Sequence, residues 1–139
     1  MNLKNSQYQA IMRQYDLRQM EHRHQQTLRY EELCNKLPAY RDLEDQIAAL
    51  YADRARAAVL GQAVQLQDML QQIQTLQHQQ RILMTRAGYP SDYLALTYTC
   101  PDCHDTGFIG DEKCHCFKQA MVDLLYRQSN IHEVLEREN

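Results

Sequence analysis

The spacing of apolar residues predicts a long first helix. Tyr8, Ile11, Met12 and Tyr15 follow the i, i+3, i+4, i+7 pattern of one helix face, and no Gly or Pro interrupts residues 2–36. Farther along this stretch apolar residues become sparse before they resume near its end. The middle of the helix is therefore either solvated or a surface for a partner outside the chain.

Two further stretches, about residues 40–60 and 62–87, have apolar residues at nearly heptad spacing. Pro38 ends the preceding helix or forces a turn, because its ring clashes with a helical turn before it. Gly61 and Gly88 can take the positive φ that commonly ends a helix. The very short connection at Gly61 predicts an antiparallel helical hairpin, similar to a coiled coil, with its tip there.

The chain then becomes irregular. Residues 91–94 predict one short turn capped by Ser91, and residues 96–99 are β-branched and aromatic enough for a brief strand. Residues 106–109, followed by a Gly110-Asp111 turn, predict a small β-hairpin.

Helical spacing returns at Phe117 and continues through Ile131, Val134 and Leu135, although Ser129-Asn130 could cap a second helix there. The predicted fold class is mainly α: a long antiparallel hairpin, a small zinc-binding β-hairpin module and a C-terminal helix. We divide the chain at residue 88, with the helical hairpin in 1–88 and the cysteine-rich module with the last helix in 89–139.

Composition narrows the functional classes. The 139 residues carry a formal net charge of −3, which gives no long-range attraction to a phosphate backbone. No apolar run approaches the ~20 residues of a membrane span, and the first residues lack the apolar core of a signal peptide. We therefore expect a cytoplasmic protein with no membrane partner, in a compartment where clustered cysteines bind metal more often than they form disulfides.

Four of the five cysteines lie within seventeen residues, as a CxxC pair (Cys100 and Cys103) and a CxC pair (Cys114 and Cys116). Two sulfurs from each of two tight turns can supply the tetrahedral thiolate set that structural zinc prefers. The sequence therefore predicts Zn²⁺ bound by these four residues, with no catalytic role.

Neighbouring residues suit such a site. Gly107 and Gly110 can take the positive φ of compact loops, and Pro101 fixes the backbone of the first turn. Four thiolates around Zn²⁺ have a net charge of −2, which Lys113 and Lys118 could offset.

Other chemistries for the cysteines stay open at this point. They could form a redox pair, although the strand–helix context of a thioredoxin-like motif is missing, or they could bind an iron–sulfur cluster. His104 or His115 could replace one cysteine as a ligand. A catalytic zinc would need an open position and a base, and no base is identifiable.

The remaining cysteine and four of the histidines have ordinary interpretations. Cys34 lies in the apolar pattern of the first helix and should be a buried thiol. His22, His24, His78 and His132 should lie on solvated surfaces. The chain has no GxxxxGK[ST] motif and no recognisable nucleophile–base pair, so we predict no enzymatic activity.

Four segments resemble the N-terminal region of bacterial replicative-helicase loaders of the DnaC/DnaI type, members of the AAA+ IstB-like family. They are residues 87–94 (AGYPSDYL), 98–107 (YTCPDCHDTG), 114–120 (CHCFKQA) and 123–131 (DLLYRQSNI). The similarity is specific from about residue 87 onward and generic before it.

The resemblance implies a role in DNA replication, in which this N-terminal domain docks on a hexameric DnaB-type helicase. It also implies that the same four cysteines are zinc ligands. In the family an AAA+ ATPase domain follows, which binds ATP and single-stranded DNA. That domain would begin near residues 136–139, where this chain stops, so its ATPase activity is not carried over.

The leading hypothesis is therefore a protein-interaction module, whose partner would pack on the sparsely apolar residues 14–29. One alternative is a zinc-dependent module that binds single-stranded nucleic acid, although the acidic cysteine loops argue against it. Another is a coiled-coil scaffold that forms homo-oligomers.

Overall fold

The computed structural model describes residues 3–137, and the side chains of residues 3–130. The described part is mainly helical, with one two-stranded sheet, as the sequence predicts. Its elements are α1 (Asn5–Lys36), α2 (Pro38–Val59), α3 (Ala63–Arg86), β1 (Phe108–Ile109), β2 (Glu112–Lys113) and α4 (His115–Arg137). None of these helices combines the length and the apolar character that crossing a membrane requires. The predictions for the side chains of Ile131, His132, Val134 and Leu135 lie outside the described side chains.

A single residue, Leu37, separates α1 from α2. The prediction that Pro38 interrupts the first helix is confirmed, because α1 ends at Lys36. Pro38 also occupies the first turn of α2, which therefore begins two residues before the predicted start. A proline is favourable there because the first N–H groups of a helix have no intrahelical acceptor.

Gly61 ends α2 with φ +73°. Its N–H donates to the carbonyl of Ala58 at 3.3 Å, and the N–H of Gln62 donates to the carbonyl of Ala57 at 3.0 Å. This pair of hydrogen bonds is the Schellman motif, which turns the chain back within a few residues. The predicted tip of the hairpin is therefore confirmed.

The contacts between α2 and α3 show that the two helices run in opposite directions. The amide of Gln80 donates to Glu44 at 2.6 Å, while Gln77 and Tyr51, farther toward the tip, approach to 3.5 Å. Partners later in α2 thus pair with partners earlier in α3, which makes the hairpin antiparallel. Gln80 is buried, and its bond to Glu44 satisfies the amide in the interior of the hairpin.

The chain forms two compact units, each with its own core. One is Gln26–Ala95, which contains the hairpin and the end of α1. Its buried cluster consists of Leu33, Cys34, Tyr40 and Met84. Cys34 is 6% exposed, which confirms its predicted burial.

The other unit joins the described residues of Met1–Gln25 to those of Leu96–Asn139. Its buried cluster consists of Ile11, Tyr15, Cys100, Cys103, Cys114, Phe117 and Met121. The contacts therefore divide the chain differently from our division at residue 88. The start of α1 packs with the cysteine segment because Ile11 and Tyr15 are buried against it.

One prediction about local structure is wrong, and one open alternative is excluded for the described residues. Residues 96–99 form no strand, since the N–H of Thr99 donates to the carboxylate of Asp105 rather than to a neighbouring strand. Ser129-Asn130 does not divide the last helix, which continues through both residues and begins at His115 rather than Phe117. Helix propensity and continuous backbone bonding outweigh the capping preference of a Ser in mid-helix.

The small β-hairpin is confirmed. Phe108 pairs with Lys113 and Ile109 with Glu112 in an antiparallel register. The turn between them is Gly110-Asp111, and Gly110 has φ +61°. The predicted turn over residues 91–94 is also present, and the N–H of Tyr93 donates to the carbonyl of Pro90 at 3.2 Å.

Candidate metal centre

The four predicted cysteines converge on one point. Their Sγ atoms all lie within 4.8 Å of one another. Cys100 Sγ is 3.8 Å from Cys114 Sγ, and Cys103 Sγ is 3.6 Å from Cys116 Sγ. A tetrahedron with metal–sulfur bonds of ~2.3 Å has edges of about 3.8 Å, whereas a disulfide would bring two sulfurs to ~2.05 Å. The separations thus fit four free thiols around one metal ion.

Local backbone bonds form the turn that carries the first pair. The carbonyl of Cys103 accepts hydrogen bonds from the N–H of Thr106 at 3.2 Å and from its hydroxyl at 2.7 Å. Gly107 follows with φ +86° and accepts from the N–H of Cys114 at 2.8 Å. That bond connects the first cysteine turn directly to the second pair.

The start of α4 positions the second pair. The carbonyl of Cys114 accepts from the N–H of Lys118 at 3.1 Å, so Cys114 immediately precedes the helix and Cys116 lies in its first turn. A CxC pair can therefore direct both sulfurs to one ion because a helix start follows the first cysteine. Lys113 and Lys118, expected to offset the thiolate charge, are both exposed, and Lys113 Nζ lies 5.7 Å from the Phe117 ring centroid.

Asp105 organises the first pair, a role that is absent from the sequence predictions. Its side chain is 1% exposed, one oxygen accepts from the N–H of Cys100 at 2.8 Å, and the other accepts from the N–H of Thr99 at 2.9 Å. Asp105 has φ +59° and follows His104 at φ +54°. Asp tolerates this left-handed region better than most residues, which was the available sequence signal.

Tyr15 connects α1 to the sulfur cluster. It is 1% exposed, and its hydroxyl lies 2.9 Å from Cys116 Sγ, so it can donate to a thiolate there. Its ring stacks on Phe117 with centroids 6.1 Å apart. A Cβ at Gly107 would lie 3.0 Å from the Phe117 ring and 3.1 Å from the Tyr15 ring. Any other residue at this position would therefore push against the two rings.

The metal-free thiols have unequal acidities. Burial opposes ionisation of Cys103, but hydrogen bonds from the Gly107 N–H and from neighbouring thiols outweigh it and lower the pKa of Cys103 to about 7. Burial raises the pKa of Cys116 to about 12, although the Tyr15 hydroxyl acts in the opposite direction. Cys103 should thus ionise more readily than Cys116 before a metal arrives.

The two candidate histidine ligands are outside the four-sulfur group. His104 stacks on Tyr98 with ring centroids 4.4 Å apart. His115 is 69% exposed, and its Nε2 is 2.8 Å from Asp102 Oδ2 and 3.8 Å from Cys100 Sγ. Since the same nitrogen contacts both groups, His115 cannot relay a proton from Cys100 to Asp102 as a catalytic triad would.

Part of the sparsely apolar stretch of α1 binds the chain's own loop. The amide of Gln19 donates to the carbonyl of Asp105 at 2.6 Å. His22 has Nδ1 2.7 Å from the Thr97 hydroxyl and Nε2 2.9 Å from the Thr99 hydroxyl. The His22 side chain is only 17% exposed, so the prediction that it is solvated is wrong. The hydroxyls of the two threonines contact both of its ring nitrogens.

In the other unit, Gln26 and Arg29 of α1 act similarly. The amide of Gln26 donates to the carbonyl of Leu94 at 3.0 Å, and Arg29 donates to the carbonyl of Tyr93 at 3.3 Å. The predicted exposure of His24 and His78 is confirmed.

Comparison with protein families, with curated proteins and with solved structures finds no match to this chain. Four buried or half-buried sulfurs surround one position, and each is held by backbone bonds or by packing against α1 and α4. Such a closed set of ligands suits a structural ion.

Proposed function

We propose that the four cysteines bind one structural Zn²⁺ that fixes α4 and the β-hairpin against the first half of α1. The observation that supports this most directly is the set of sulfur separations, which matches a single tetrahedron. An iron–sulfur cluster distributes its thiolates over several irons, so its sulfurs would lie farther apart. When bound, the ion would supply charge neutralisation and cross-linking of two chain segments, with no part in a reaction.

We further propose that the chain is the helicase-docking domain of a replicative-helicase loader of the DnaC/DnaI type. The resemblance of residues 87–131 supports the family, and the exposed face of α1 supports a docking role. Leu17 and Met20, one turn apart, are 59% and 60% exposed, while Gln19 and His22 bind the chain's own loop. Within residues 14–29, the proposed docking face is therefore the side that carries Leu17 and Met20, since Gln19 and His22 are already bound to the loop.

Co-elution with a DnaB-type helicase from the same organism tests this proposal. The metal-loaded chain should form a complex at micromolar concentration, and Leu17→Ser/Met20→Ser should weaken it. Truncating two central interface residues removes about 2 kcal/mol, or roughly 30-fold in Kd. Val59→Ser, at a residue 87% exposed near the tip of the hairpin, is the matched control and should bind as the wild type does.

A metal-loaded, folded chain that fails to bind the helicase would refute the docking proposal. Salt-sensitive binding to single-stranded DNA, or a homo-oligomer by light scattering, would in that case favour one of the two alternative functions. A chain that binds no metal at all would instead refute the zinc centre. The experiments therefore distinguish failure of the docking proposal from failure of the zinc proposal.

A further inference from the structure

A second group of metal-binding atoms adjoins the four-sulfur centre. It consists of Cys100 Sγ, Asp102 Oδ2 and His115 Nε2, all within 4.8 Å of one another. Cys100 is buried, whereas the side chains of Asp102 and His115 are 60% and 69% exposed. The group therefore lies where the buried centre meets solvent, with its imidazole and carboxylate accessible from outside.

The separations are close to those of three ligands on one ion. Tetrahedral Zn²⁺ with a bond of ~2.3 Å to sulfur and ~2.05 Å to nitrogen places these atoms about 3.6 Å apart. Cys100 Sγ and His115 Nε2 are 3.8 Å apart. Nitrogen and oxygen ligands would lie about 3.3 Å apart, against 2.8 Å between His115 Nε2 and Asp102 Oδ2. Opening that pair by half an ångström needs only small rotations of two exposed side chains.

Charge favours a second cation at this position. One Zn²⁺ with four thiolates has a net charge of −2, and Asp102 adds a further negative charge beside it. A thiolate bound to one ion keeps lone pairs for another, and the Cys100 sulfur lies within reach of His115 Nε2. Sulfur and imidazole ligands together select borderline-soft ions over Mg²⁺ or Ca²⁺.

We propose that Cys100, Asp102 and His115 form an outer site for a second borderline-soft divalent cation, such as Zn²⁺ or Cd²⁺, with the Cys100 thiolate shared between the two ions. Water completes the coordination of the outer ion. The proposal rests on the proposed central metal, because the two ions share the Cys100 sulfur. With three protein ligands and an open position, the outer site should bind more weakly than the centre.

Titration of the reduced, metal-free full chain with ¹¹³Cd²⁺, followed by ¹¹³Cd NMR, tests the outer site. The first equivalent should give one resonance in the range of sulfur-only coordination. The second should give a new resonance at the position of mixed ligands and should shift the first one, because the two ions share Cys100. Zn²⁺ binding measured by equilibrium dialysis should likewise saturate at two ions per chain.

His115→Ala and Asp102→Asn should each reduce the stoichiometry from two ions to one and leave the first resonance in place. His24→Ala, which removes an exposed histidine from α1, is the control and should keep two. Saturation of the wild-type chain at one ion would overturn the outer site and leave the central one intact. A second ion that persists in His115→Ala, or that leaves the first resonance unshifted, would also overturn it. Failure to bind the first equivalent would refute the proposed zinc centre itself.

Discussion

Asp105 holds the turn of the first cysteine pair in place through three hydrogen bonds. Its two carboxylate oxygens accept from the consecutive N–H groups of Thr99 and Cys100, and its own carbonyl accepts from Gln19. A buried carboxylate is costly unless several donors satisfy it, and here the donors belong to the turn that presents the first ligand. His22 Nε2 also lies 3.7 Å from this carboxylate.

Asp105→Asn should therefore destabilise the metal-loaded chain by about 1–3 kcal/mol, because an amide cannot accept both N–H bonds and its NH₂ opposes one of them. Asn tolerates the left-handed backbone as well as Asp does, so the change isolates the carboxylate. Denaturant unfolding measures the loss, and Asp111→Asn in the exposed turn is the control. Equal stability of the two variants would contradict the role assigned to Asp105.

At the scale of elements, α1 has a stripe of polar residues that contacts a loop, which a search for apolar periodicity cannot detect. Gln19, His22, Gln26 and Arg29 are spaced by three, four and three residues, the spacing of an apolar stripe. Each binds a loop atom from residues 93–106 through hydrogen bonds. An irregular loop presents unpaired carbonyls and hydroxyls, which polar side chains satisfy. The sequence shows these residues as polar and therefore as solvated.

Other elements could be predicted because one local cause dominates each. Gly61 determines the tip of the hairpin through its positive φ, and the spacing of Cys100 and Cys103 identifies one half of the site. The absence of a strand at residues 96–99 depends on the hydrogen bond from the Thr99 N–H to the Asp105 carboxylate, a pairing that no strand or turn pattern in the sequence indicates. The contact between Tyr15 and Cys116 joins residues 101 apart in sequence, which no local pattern can reveal.

Cys103→Ser should loosen the unit that contains the centre and leave the hairpin folded. Metal binding is coupled to folding, on the order of 10 kcal/mol for small sites, but Leu33, Tyr40 and Met84 form a core in the other unit. Hydrogen exchange should show α4 losing protection while α2 and α3 keep theirs. Cys34→Ser, which leaves all four ligands in place, is the control for α4. Loss of protection throughout α2 and α3 in Cys103→Ser would contradict the independence of the hairpin.

For the molecule as a whole, the two units respond to different conditions. The proposed metal centre needs ionised thiols, so acid should weaken the unit that contains it. The other contains Tyr30, whose pKa is raised to about 12 by burial and by hydrogen bonding to the Cys34 thiol, and Tyr40, whose pKa burial also raises. Alkali should therefore weaken the hairpin unit.

The raised pKa of Tyr30 makes the hairpin unit less stable at high pH, because folding then favours the protonated form of a group that is losing its proton. The folded state favours the protonated phenol, so its contribution is complete below the unfolded pKa of about 10. It is lost as the pH rises from there through about 12. Tyr30→Phe should reduce the fall in urea midpoint between pH 9 and about 12, as measured by circular dichroism. Tyr51→Phe, at a residue 47% exposed, should leave that fall unchanged. The same pH dependence in both variants would exclude Tyr30 as the cause.

The unit Gln26–Ala95 is inserted between the two segments of the other unit, and the bond from Gln26 to the Leu94 carbonyl brings its ends together. Once the insert is folded, residues 25 and 96 need to close only a short gap rather than a loop of about 70 residues. Each doubling of loop length costs about 0.6 kcal/mol, so prior folding of the insert lowers the entropic cost of closure by about 2–3 kcal/mol. We therefore expect the helical hairpin to form first through local contacts, and Tyr15 and Cys116 to come together afterwards at this lower entropic cost.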